Sequence, residues 1–164
     1  MKPVVVLLVV FVMMLVMVAP AFAGPPEVIT NEVENVYEPY DDTLCPGISI
    51  SKHEIYTERL TFYYDNQGIL KRVLGHVDGI DSFYNIANPG VVLSGHFVVN
   101  FELDADFNTL SVTGVPYHIT APGYGTVLVR AGLWESYPDG HIAGKDSLVD
   151  PKDVAQFCSI LGGG

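Results

Sequence analysis

Val91-Val92-Leu93-Ser94-Gly95-His96-Phe97-Val98-Val99-Asn100-Phe101-Glu102-Leu103 is the stretch on which the fold turns. In an extended chain, Phe97, Val99, Phe101 and Leu103 share one side, and Ser94, His96, Asn100 and Glu102 share the other. Period-two alternation over this length reads as a strand with one buried face. Burying each large apolar side chain is favourable by roughly 1.5–3 kcal/mol. The phenylalanine face is therefore expected inside and His96 outside.

Working outward, similar segments flank this strand, separated by turn residues. Ile48 and Ile50 alternate with Ser49 and Ser51, and Leu60, Phe62 and Tyr64 alternate with Arg59, Thr61 and Tyr63. Asp65-Asn66-Gln67-Gly68 reads as a turn, residues 69–77 and 80–86 as two strand pieces, and Asn88-Pro89-Gly90 as another turn. After the central strand, Asp104-Ala105-Asp106-Phe107-Asn108 turns the chain, with Asn108 expected at positive φ, and residues 109–119 return it. Ala121-Pro122-Gly123-Tyr124-Gly125 leads into residues 126–135, where Val127, Val129, Ala131 and Leu133 are in step. Pro138-Asp139-Gly140 precedes a last piece at 141–143. Seven or eight strands at this spacing predict an all-β, mainly antiparallel barrel or sandwich, with the barrel preferred.

One short C-terminal helix is expected. Asp150 can cap it and Pro151 suits its first turn; Val154, Phe157, Cys158 and Leu161 form one stripe, and Gly162 stops it. Cys158 thus lies on the face that would meet Cys45, the only other cysteine. A Cys45–Cys158 disulfide is expected, joining the start of the domain to its end.

Residues 1–23 read as a secretory signal peptide. Lys2 precedes an unbroken apolar run from Val4 to Ala19, followed by Pro20 and the small-x-small triplet Ala21-Phe22-Ala23. That run is shorter than the ~20 residues a spanning helix needs, so no stable membrane insertion is expected after cleavage. The remaining 141 residues carry a net charge of −12. Such a charge repels nucleic acid and anionic lipid, and excludes both as expected partners. Residues 24–44 hold six acidic side chains, three prolines and no Lys or Arg. They read as a flexible acidic tail ahead of one β domain at 45–164. A secreted monomer is expected.

The chemistry legible in the chain is sparse. His53, His76, His96, His118 and His141 show no i, i+2 or i, i+4 pair, so no metal site is expected. His76, His96 and His118 sit on three successive strands and are candidate ligand-binding residues, together with Trp134. Strict alternation puts His118 with Leu110 and Val112 and away from the His96 face; a bulge near Pro116 would reverse that. The 104–108 segment lacks the sixth-position Gly and twelfth-position acid of a calcium loop, with Thr109 and Val115 there instead. Ser94 and His96 share a side but no Gly-x-Ser-x-Gly elbow exists. Gly123-x-Gly125 has no following helix and is no phosphate loop. No cofactor is implied, and the catalytic residues of any activity are not indicated. Tyr56, Tyr63, Tyr64, Tyr84, Tyr117, Tyr124 and Tyr137 are mainly packing aromatics that could also line a surface.

Cys45-Pro46, Asn88-Pro89, Ser94-Gly95-His96-Phe97, Thr113-Gly114 with Ile119, Pro122-Gly123-x-Gly125-x-Val127-Leu128, Ala131-Gly132, Asp139-Gly140 and Phe157-Cys158 with Leu161 occur in an order that resembles a family of small exported bacterial proteins of the actinobacterial type. The likeness spans roughly residues 45–161 and departs at Trp134-Glu135-Ser136-Tyr137. It implies an extracytoplasmic β domain with two cysteines at matching positions and carries over no catalytic residue. The function expected is binding of a small apolar molecule or a cell-surface component in the interior of a barrel. The alternatives are a cavity-based enzyme like the barrel cyclases that resemble allene oxide cyclase, and a purely structural or interaction protein. A dry apolar cavity favours binding, an ionisable group in the cavity favours the enzyme, and no cavity leaves interaction.

Overall fold

The alternation centred on Phe97–Leu103 becomes the middle of one seven-stranded antiparallel sheet, seen in a computed structural model that describes residues 24–40, 43–135 and 140–163. The strands are β1 (Glu27–Tyr37), β2 (Ile50–Tyr64), β3 (Leu70–Asn85), β4 (Asn88–Asp104), β5 (Thr109–Ala121), β6 (Gly125–Trp134) and β7 (His141–Asp146). Each pairs with its sequence neighbour, in the order β1 to β7. The leader and the Pro138-Asp139 turn lie outside the described residues.

The sheet is open, so the expected barrel is not formed, and among the described residues no second sheet packs on the first to make a sandwich. β1 and β7 are the two edges of the sheet and do not pair with each other. Curvature comes instead from local irregularities. Bulges interrupt the register of five of the six strand pairs. Gly114, Gly132 and Gly144 stand opposite one another across β5, β6 and β7, all with positive φ. A Cβ there would lie within 2.2 Å of a backbone oxygen of the neighbouring strand, so only glycine permits this crease.

Two expected breaks are absent. The expected pieces at 69–77 and 80–86 merge into the single strand β3 (Leu70–Asn85), and the polar segment ahead of Cys45 supplies β1. Tail composition argued for disorder, but residues 27–37 pair with β2 along their whole length. Cross-strand bonds hold them: His53 to Glu34, Asn35 to Glu54 and Tyr64 to Glu27. Local acidity is thus answered by partners that sequence proximity does not reveal. The 104–108 turn forms as expected, with Asp104 Oδ1 accepting from the amides of Asp106 and Asn108. Its positive φ falls on Phe107, at 64°, rather than on Asn108.

The helix α1 (Pro151–Gly162) begins where Asp150 accepts from the Lys152 amide, and ends at Gly163, one residue later than expected, in the left-handed conformation. Phe157 and Leu161 are fully buried, Val154 and Cys158 half-buried. The helix packs on β3, β4 and β6 over a core of Ile50, Phe83, Leu93, Ile119 and Leu128. Cys45 and Cys158 form the disulfide. Among the described residues no helix is long and apolar enough to cross a membrane.

Candidate functional site

The helix covers only one end of the concave face, near Ile50, Phe83 and Leu93. Beyond it, among the described residues, the face is uncovered and forms a trough of about 400 Å³. β4 supplies its floor with Phe97, Val99, Phe101 and Leu103, the side chains whose alternation decided the fold. β3 makes room for them. Gly79 stands opposite Phe97 and Gly75 opposite Phe101. A Cβ on Gly75 would sit 2.0 Å from the Phe101 ring, and one on Gly79 would sit 2.9 Å from Phe97 Cζ. The rings therefore lie across the bare β3 backbone, which keeps the trough open. Tyr56 from β2 meets Phe97 edge-on at 6.1 Å, and Val112, Pro116 and Tyr117 from β5 form the far wall.

One end of the trough is charged. In β2, Lys52 and Glu54 are in step with Ile50, so they point to the concave side, and Asp81 stands directly opposite Glu54 on β3. Lys52 Nζ lies 2.5 Å from Glu54 Oε2 and 3.2 Å from Asp81 Oδ1. It is also surrounded by the rings of Tyr37, Tyr40 and Tyr117, at 5.7, 5.5 and 5.4 Å from their centres. Glu54 further accepts from Asn35 and from the Tyr37 hydroxyl, at 3.0 and 2.8 Å. Asp81 is the least served member. It is 1 % exposed, and the Lys52 ammonium approaches Oδ1 outside hydrogen-bonding geometry, so that oxygen accepts no hydrogen bond.

Titration follows from this arrangement. Burial pushes the Asp81 carboxyl up to about 6, against the opposing pull of Lys52, while nearby Glu54 adds to the rise. Burial also works against the charge of Glu54, but hydrogen bonds from Lys52 and Asn35 outweigh it and hold Glu54 below its ordinary value. For Lys52, desolvation disfavours the ammonium, yet Asp81 and Glu54 together raise its pKa. The Tyr37 hydroxyl is raised, first by its bond to Glu54 and then by burial. One ammonium shared between two buried carboxylates leaves an excess of negative charge, and Asp81 accordingly takes up its proton at about pH 6 rather than in the ordinary carboxylate range.

The residues singled out from sequence lie elsewhere. A bulge at Pro116–Tyr117 shifts the register of β5, so His118 joins His76 and His96 on the convex face, the reverse of strict alternation. They do not meet. His76 contacts Asn100 at 2.8 Å, His96 contacts Asp78 at 3.0 Å, and His118 contacts Thr126 at 3.2 Å. His96 is thus outside, as its strand pattern required. Among the described residues no group of three His, Cys, Asp or Glu could hold a metal ion. Trp134 is fully buried, 5.1 Å from the His141 ring, and does not line the trough. On β6, Val127 of the expected in-step set stays in the core, but a bulge there hands the concave phase from Val129, Ala131 and Leu133 to Leu128, Arg130 and Trp134, which pair with the concave-side residues of β5.

Lys52, Glu54 and Asp81 escaped the sequence reading. The available signal was the continuation of the Ile50 phase into Lys52 and Glu54, charged residues on an apolar face, and Asp81 between Gly79 and Phe83 in the same phase. Comparison with family models, with curated proteins and with solved structures finds no match.

Proposed function

We propose that this chain is an exported, extracytoplasmic binding protein that takes a small, mostly apolar molecule, or the apolar end of a cell-surface component, into the trough. The observation that carries this reading is the cleft of about 400 Å³ floored by Phe97, Val99, Phe101 and Leu103. Specific ligand sites have this size and this apolar character, with a few polar groups at one point. The disulfide supports export, as does the signal-like leader.

The trough is apolar along its floor and ionisable at one end, so it answers to both the binding and the enzyme expectations. Asp81, buried and able to hold a proton near pH 6, favours a proton-transfer enzyme as the second reading. Two features favour binding. Lys52, Glu54 and Asp81 are engaged with one another, leaving no nucleophile and base in the geometry of covalent catalysis. The trough is also open to water, which weakens any charge stabilisation it could offer to a transition state.

The test is titration with N-phenyl-1-naphthylamine, a neutral apolar fluorophore. Saturable binding at one site per chain is expected, and Val99→Asp, which places a charge on the floor, should abolish it. Far-ultraviolet circular dichroism of the variant monitors its fold. A variant that folds and binds as the wild type does would exclude the trough as the site.

A further inference from the structure

The charged end of the trough is built to hold an ammonium group, and the chain already places one there. Lys52 Nζ stands among three tyrosine rings and against two carboxylates. Its single positive charge faces Glu54 and Asp81, and Glu58 from the same strand also lines the trough. Three acidic side chains to one basic leaves the lining negative. Asp81 is the second, independent pointer. It is 1 % exposed, it lines the trough, and its Oδ1 accepts no hydrogen bond. A buried carboxylate oxygen that meets only an ammonium shared with Glu54, outside hydrogen-bonding geometry, is under-served, and a second donor carrying positive charge completes it.

The geometry points to a ligand with a protonated primary amine at one end and an apolar body, its ammonium donating to Asp81 beside Lys52 and its chain lying over Phe97, Val99 and Phe101. An anionic head would meet the like charges of Glu54, Glu58 and Asp81. A neutral head would leave the local charge uncompensated. The amine must carry N–H donors, because the unmet need at Asp81 is a hydrogen bond as well as a charge. This inference rests on the apolar-trough reading above and adds the class of ligand to it.

The experiment is displacement of bound N-phenyl-1-naphthylamine from the full chain by octylammonium, octanol and octanoate, which share one chain length. It is run in about 0.5 M NaCl, where the Debye length of roughly 4 Å removes the general attraction of an acidic protein for cations. Octylammonium is expected to displace the fluorophore at about tenfold lower concentration than octanol, the increment of one charge-assisted hydrogen bond. Octanoate is expected to be the weakest. Asp81→Asn should bring octylammonium to the level that octanol shows in the same variant, and Glu58→Gln should reduce the preference partially. Equal displacement by octylammonium and octanol in the wild type overturns the amine inference and leaves the apolar reading standing. A preference that persists undiminished in Asp81→Asn overturns it too. If the fluorophore itself fails to bind, the apolar reading falls and this inference falls with it.

Discussion

Replacing Asp81 by Asn should stabilise the protein, and only above a definite pH. The carboxyl has an ordinary value of 3.8 and is raised to about 6 in the folded chain. At 1.36 kcal/mol per unit, a difference of about 2 units corresponds to roughly 3 kcal/mol. A raised pKa means that the folded state binds the proton more tightly than the unfolded state does. The stability associated with that proton is fully present below about pH 4 and is lost as the pH rises through about 6. Asn has nearly the same shape and no titration. Wild type and variant should therefore be close in stability at about pH 4, and the variant should lead by roughly 3 kcal/mol at about pH 7.5. Glu54, whose pKa is lowered, contributes with the opposite sign, gaining stability as the pH rises from acid, but it is present in both proteins and cancels in the difference. Urea denaturation reads the gap directly, through the emission of Trp134, the single tryptophan and fully buried. A gap that is flat with pH, or one in which the wild type gains on the variant as pH rises, would refute the reasoning. The expected outcome would mark Asp81 as a residue held at a cost to stability, as functional groups commonly are.

Truncating the helix face gives a simpler contrast: Phe157→Ala, at a fully buried site, should lower stability by about 3–5 kcal/mol. Lys152→Ala on the exposed side should change it by about 0.5 kcal/mol or less, and equal effects in urea would mean that the helix does not dock. Reducing Cys45–Cys158, which are 113 residues apart, should lower stability by roughly 4–5 kcal/mol in the chain-entropy account, read as a drop in the urea midpoint with reductant. Gly75→Ala pushes a methyl into the Phe101 ring and should cost about 1–3 kcal/mol; because that ring is part of the trough floor, its displacement should lower fluorophore affinity as well. Expressed with its own leader, the exported chain should begin at Gly24, which N-terminal sequencing of the secreted material checks.

Features that depend on neighbours along the chain were legible before any tertiary contact was known. The alternation of Phe97, Val99, Phe101 and Leu103 set both the strand and its buried face, because the pleat has period two whatever lies beside it. The hairpin at Asp104 and the helix between Asp150 and Gly163 were legible for the same reason, since caps and turns are satisfied by atoms a few residues away. The cysteine pair was legible because only two exist. Closure was not, because whether a curled sheet meets its own edge depends on accumulated twist, on bulges and on the glycine crease at 114, 132 and 144, none of which any one strand specifies. The acidic run at 27–37 looked like a tail until β2 supplied its partners. One extra residue at Pro116–Tyr117 turned His118 to the opposite face, since a register shift of one reverses every side chain beyond it. The charged end of the trough needed the tertiary structure most. Lys52, Glu54, Asp81 and Tyr117 come from three strands, and only the curvature of the sheet brings an ammonium, two carboxylates and an aromatic wall to one point.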